Sequence, residues 1–116
     1  MPSIQFSLLA MLKLVDEGVF TLETLVEKMC HAPARIFNIN KRGFIEKGNY
    51  ADFVLLNPDA PHTVTADSII SKCGWSPFEG DTFNWAVEQT WVNGECAYKN
   101  GTFNEEVHGK ALTFNR

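Results

Sequence analysis

The sequence has few of the features that announce a function on their own. Its three cysteines, Cys30, Cys73 and Cys96, are odd in number and far apart, so no disulfide framework is expected and the reading is a reducing, cytoplasmic setting. Lysine and arginine number 10 against 14 aspartates and glutamates, a net charge of −4, and Lys41-Arg42 is only a basic pair. Without a basic stripe there is no electrostatic case for nucleic acid or an anionic membrane as a partner. The apolar run Met1 to Val15 has no basic leader and is interrupted by Gln5, Ser7 and Lys13, which reads as neither a signal peptide nor a membrane span.

Catalytic signatures are equally scarce. His31, His62 and His108 stand alone, with no His-x-His, Cys-x-x-Cys or His-Glu-x-x-His spacing, so a self-contained metal site is not expected. There is no Gly-x-Ser-x-Gly elbow and no cysteine beside a base with an orienting partner; Ser76, between Trp75 and Pro77, reads as a loop hydrogen-bonder. Glycine-rich phosphate loops are missing too. Cys30 and His31 are adjacent, which on a helix turns their side chains about 100° apart. They read as a buried thiol beside a helix-terminal imidazole. Asp16-Glu17 and Glu105-Glu106 lie at polar element ends. No catalytic or metal-ligating residue is therefore assigned.

What is present is patterning. The 116 residues are 45% hydrophobic, enough for one globular unit. Ile4, Leu8, Met11, Leu12 and Val15 form a helical stripe that Ser3 can cap and Gly18 can end. Phe6, Leu9 and Leu14 lie outside that stripe, so this helix calls for neighbours on more than one side. A second helix begins at Thr21, with Leu22, Leu25, Val26 and Met29 inward. Its run is expected to break at His31-Ala32-Pro33 before a short helix, 33–37, with Ala34, Ile36 and Phe37 inward.

After Asn40 the period changes. Asp52 to Leu56 reads as a strand buried on both faces, His62 to Thr65 as a weaker strand, and Thr65 or Asp67 as the cap of a short helical turn. Val87–Val92 and Glu95–Lys99 flank Asn93-Gly94, the dipeptide that best tolerates φ > 0 at both central positions of a type I′ hairpin. A two-residue loop pairs Val92 with Glu95, Trp91 with Cys96, Thr90 with Ala97 and Gln89 with Tyr98. Asn100-Gly101 turns the chain again into Thr102-Phe103, and only Leu112 and Phe114 can anchor the tail. The fold class is α+β, with residues 1–40 helical and residues 41–116 β-rich.

One stretch lacks any period: Lys72-Cys73-Gly74-Trp75-Ser76-Pro77-Phe78-Glu79-Gly80. Two aromatic rings, a proline and two glycines make an ordered loop, expected to use Trp75 and Phe78 to seal the β-rich part against the helical part.

This loop belongs to a wider likeness. Met29 to Phe37, Arg42-Gly43-Phe44-Ile45 with Gly48 and Ala51-Asp52-Phe53-Val54-Leu55, Lys72 to Gly80, and Val92-Asn93-Gly94 resemble, in order, the C-terminal part of dihydroorotases. The Pro-Ala-Arg-Ile-Phe helix and the Gly-x-Ile-x-x-Gly-x-x-Ala-Asp run resemble the wider amidohydrolase superfamily, including allantoinases and hydantoinases, while the loop is most similar to dihydroorotases. The resemblance implies a (β/α)8-barrel hydrolase, typically zinc-dependent, that interconverts dihydroorotate and carbamoyl-aspartate in pyrimidine biosynthesis. It implies that residues 1–40 are late barrel helices and that 41–116 belong to a small β-domain, which in the family also takes strands from the N-terminus.

The family's metal ligands have no counterpart in this chain. Asp59-Ala60-Pro61-His62 is similar to the run carrying the family's last catalytic aspartate, but it follows a strand that the family's run precedes. Pro2 follows the family's substrate-contacting loop and is the sole substrate-binding candidate. The expectation is a fragment without cofactor and inert alone, whose partner is the missing N-terminal part of the same enzyme and whose parent binds zinc. The competing expectations are a stand-alone interaction module, self-associating through exposed strands or helix 4–16, and the tail of an allantoinase or hydantoinase.

Overall fold

The computed structural model describes residues 1–115. Helices come first and mostly antiparallel strands second, an α+β chain. Among the described residues no helix is long and apolar enough to cross a membrane. Helix ends after residue 36, yet compactness divides the chain differently, into one unit of residues 1–22 with 57–86 and another of residues 23–56 with 87–116.

The first unit is built on α1, Ser7–Asp16, entered through a 3-10 turn at Ile4–Phe6. Ser3 makes no capping side-chain bond. The helix stops in a Schellman motif: Gly18, at φ 77°, donates to the Val15 carbonyl and Val19 to the Leu14 carbonyl, each at 3.0 Å. The buried stripe differs from the one read in the sequence. Phe6, Leu9 and Leu12 face inward, while Ile4 is 93% exposed. Aromatic packing decides this, because the Phe6 ring lies 6.4 Å from Phe83 and 6.2 Å from Phe78. Phe83 belongs to β3, Thr82–Phe83, which pairs antiparallel with β2, His62–Thr63. A 3-10 turn at Ala66–Ser68 follows β2; there the Thr65 N–H donates to Ser68 Oγ at 3.2 Å. Gln5 reaches this turn twice, donating to the Ser68 carbonyl at 2.7 Å and accepting from the Ile70 N–H at 2.9 Å.

Loop 72–80 closes the same unit. Phe78 packs between Phe6 and Phe83, and Ser76 is buried with its Oγ accepting the Phe78 N–H at 3.1 Å. Trp75 departs from expectation: it is 50% exposed. Trp85 instead ties the strand side to the helix, its indole N–H donating to Asp16 Oδ1 at 3.0 Å.

In the second unit the expected break at residues 31–33 does not occur. Helix α2, Leu22–Val26, runs through a π-helical stretch, Glu27–His31, into α3, Ala32–Ile36. The Ala32 N–H reaches the Glu27 carbonyl, a five-residue step. Pro33 has no N–H to continue an α-helical ladder, and widening the turn just before it lets the helix pass without a break. Of the three residues read as inward, only Ala34 is; Ile36 and Phe37 are 71% and 57% exposed. Ala34 is held against Gly43, where φ is +89° and a β-carbon would collide with the Ala34 side chain and lie 2.9 Å from the Cys30 carbonyl.

Four strands form the sheet of this unit, in the order β1-β4-β5-β6. They are Phe53–Asn57, Ala86–Val92, Glu95–Lys99 and Thr102–Phe103. β1 lies at an edge and is not buried on both faces: Val54 and Leu55, which alternate between faces, both stay exposed. Phe53 stacks on Trp91 with centroids 5.7 Å apart. Asn93 and Gly94 join β4 to β5 at φ 52° and 83°. Register holds for Val92 with Glu95 and Trp91 with Cys96, then shifts, so Thr90 faces Tyr98 and Gln89 faces Lys99. A bulge at Ala97 causes the slip, its carbonyl accepting the Asn104 N–H at 2.8 Å beyond the ladder. The tail returns to the helix end, where Ile39 and Phe114 form an antiparallel bridge.

Candidate functional site

A polar arrangement in the second unit centres on Asp52. Arg42 and Asp52 bracket the turn containing Gly43 and Gly48 and form a partly buried ion pair. The same carboxylate accepts the Asn93 N–H through Oδ1 at 2.7 Å, so one side chain holds both the glycine turn and the hairpin turn. Gly94 adds a second tie, its N–H donating to the Ala51 carbonyl at 3.1 Å. The Arg42 guanidinium lies over the Tyr50 ring at 4.3 Å, with the Lys110 ammonium 5.4 Å from that ring. Buried Arg42 Nη2 and both polar atoms of the Asn93 carboxamide have no hydrogen-bond partner.

Beside this network lies an open concavity of about 370 Å³, lined among others by Arg35, Asn38, Lys41, Arg42, Phe44 and Glu46. Its cations are largely committed: Arg35 pairs with Glu27 and Arg42 with Asp52. His31 stacks on Phe44 with centroids 4.2 Å apart and brings Nδ1 within 3.4 Å of Glu27. Carboxylates here neutralise guanidinium groups. Such an arrangement positions backbone.

Pro2 lies ahead of the first 3-10 turn and is half-buried. His62 sits on β2 with Nδ1 3.1 Å from the Ala60 carbonyl, and Asp59 donates its N–H to Asn57 Oδ1 at 2.9 Å. Among the described residues no three His, Cys, Asp or Glu side chains converge, so they do not fit the zinc implied by the resemblance. Cys30 is free, and partial burial pushes its thiol above the ordinary range although the residue as a whole is exposed. The Arg42–Asp52–Asn93 linkage was missed in the sequence; its signal was an arginine and an aspartate bracketing a glycine turn.

The chain belongs to the Amidohydrolase family, whose model matches residues 3–97. Among individual proteins, it is 34% identical over 110 residues to a dihydroorotase of Pyrococcus furiosus, covering 95% of this chain and 25% of that enzyme. An allantoinase of Bacillus velezensis is 37% identical over 98 residues, covering 84% of this chain and 21% of the enzyme. The structure of L-hydantoinase (dihydropyrimidinase) from Arthrobacter aurescens matches with a TM-score of 0.72 at 33% identity, over 78% of this chain and 20% of that one. The chain spans about a quarter or less of these relatives' length.

Proposed function

We propose that this chain is the C-terminal scaffold of a dihydroorotase-like cyclic-amide hydrolase of pyrimidine biosynthesis. In this reading residues 1–40 are late barrel helices and 41–116 the C-terminal part of a small β-domain. The rest of the enzyme supplies zinc, its ligands and the general base, so the chain alone is inert. One observation carries the proposal: Ile4 and Ile36 on helical segments and Phe37 at the cap of the last helix are 93%, 71% and 57% exposed, apolar surface that a barrel would cover. Purified alone, the chain should neither turn over dihydroorotate nor retain stoichiometric zinc. Co-expressed with the N-terminal three-quarters of a dihydroorotase, it should restore turnover. Turnover or tight zinc in the isolated chain would overturn the proposal.

The allantoinase and L-hydantoinase identities favour a second reading, the tail of an enzyme acting on another cyclic amide. Substrate preference of the enzyme encoded with its upstream sequence, assayed on dihydroorotate, allantoin and hydantoin, separates the two. A discrete, stable oligomer of the isolated chain in sedimentation would favour a self-associating module instead.

A further inference from the structure

The chain contains two Asn-Gly turns in the same sheet. Asn93-Gly94 joins β4 to β5 and Asn100-Gly101 joins β5 to β6, with φ of 52° and 83° in the first and 47° and 90° in the second. Asn-Gly is the dipeptide most prone to deamidation, because glycine offers no side chain to block attack by its own nitrogen on the asparagine carboxamide. The Gly nitrogen bonds to Asn Cγ, ammonia leaves and a succinimide forms; water then opens the ring to aspartate or isoaspartate. Nothing is oxidised or reduced. Local backbone geometry is shared, so any difference in rate comes from what surrounds each turn.

Those surroundings differ sharply. The Asn93 carboxamide is buried at both polar atoms, and its backbone N–H is held by Asp52 at 2.7 Å. The attacking nitrogen, that of Gly94, is engaged with the Ala51 carbonyl at 3.1 Å. Deamidation at Asn93 therefore requires breaking that bond and bringing water to a dry carboxamide. Asn100 and Gly101 are both exposed; Asn100 donates its own N–H to the Glu88 carbonyl at 2.9 Å, and its exposed side chain can swing onto Gly101.

From this contrast we infer that Asn100 is a built-in deamidation site and that Asn93, the same dipeptide in the same sheet, is protected by the fold. Reaction at Asn100 places one new negative charge at the β5–β6 turn. Peptide mapping by mass spectrometry of the full chain, held in mildly alkaline buffer, tests it against the same chain in guanidinium chloride. In denaturant the two sites should react at comparable rates, whereas in native buffer Asn100 should lead Asn93 by about tenfold or more. A native ratio no different from the denatured one, or Asn93 leading, would overturn the inference. Asp52→Ala should raise the Asn93 rate toward that of Asn100, while Asn100→Gln should abolish the native reaction at that turn.

Discussion

Asp52 accepts the backbone N–H of Asn93 across 41 residues of sequence, at 2.7 Å, while its other oxygen pairs with Arg42. The carboxylate thereby joins the glycine turn after the helices to the hairpin turn of the sheet. Replacing it with alanine strands a partly buried guanidinium and an amide donor, which should cost about 1–3 kcal/mol. Asp52→Asn keeps an acceptor for Asn93 but loses the ion pair, and should cost less. Chemical denaturation midpoints check both, and an unchanged midpoint for Asp52→Ala would show that the linkage is dispensable.

Gly43 faces Ala34 and the Cys30 carbonyl at φ +89°. Gly43→Ala adds overpacking to backbone strain, together about 2–4 kcal/mol. Adding Ala34→Gly relieves the side-chain collision but not the positive φ, so the double variant should recover only part of the loss. Thermal melts of the unsubstituted chain, both single variants and the double variant, compared as a double-mutant cycle, measure that coupling.

Within loop 72–80 the two aromatic residues carry unequal weight. Phe78 packs against Phe6 and Phe83, so Phe78→Ala should destabilise by about 2–4 kcal/mol. Trp75 is half exposed, and Trp75→Ala should cost about 1 kcal/mol or less in this chain. Equal midpoint shifts would contradict that ranking.

Partial burial disfavours the thiolate of Cys30 and raises its pKa in the fold. The neutral thiol is the form the fold prefers, so this contribution to stability is complete below the unfolded pKa and is lost as pH rises through the folded one. Iodoacetamide should modify Cys30 more slowly than an unstructured cysteine peptide at mildly alkaline pH, with the gap closing as pH rises further. A Cys30 rate profile overlying that of the peptide would show that burial has no effect on it.

Features set by a few consecutive residues were legible in the sequence. Gly18 ends the first helix because a positive φ is needed there, and Ser76 acts as a loop hydrogen-bonder because its neighbours are a turn. Burial was less legible. Leu8, Met11 and Val15 satisfy helical periodicity as well as Phe6 and Leu9 do, and only the positions of Phe78 and Phe83 decide which stripe turns inward. Passage of the helix through residues 31–33 was hidden for a related reason: proline breaks an α-helical ladder, and a π turn that accommodates it leaves no mark in composition.

The sequence by itself determined the family, through motifs in a set order, and the change from helix to strand near residue 40, through a change of period. Tertiary structure alone decided that Asp52 meets Asn93, that a bulge at Ala97 resets the register, and that one Asn-Gly turn is shielded while its twin is open. The division has a physical cause. Backbone preference acts between neighbours in sequence, whereas burial and long-range hydrogen bonding depend on which distant side chains arrive at the same place.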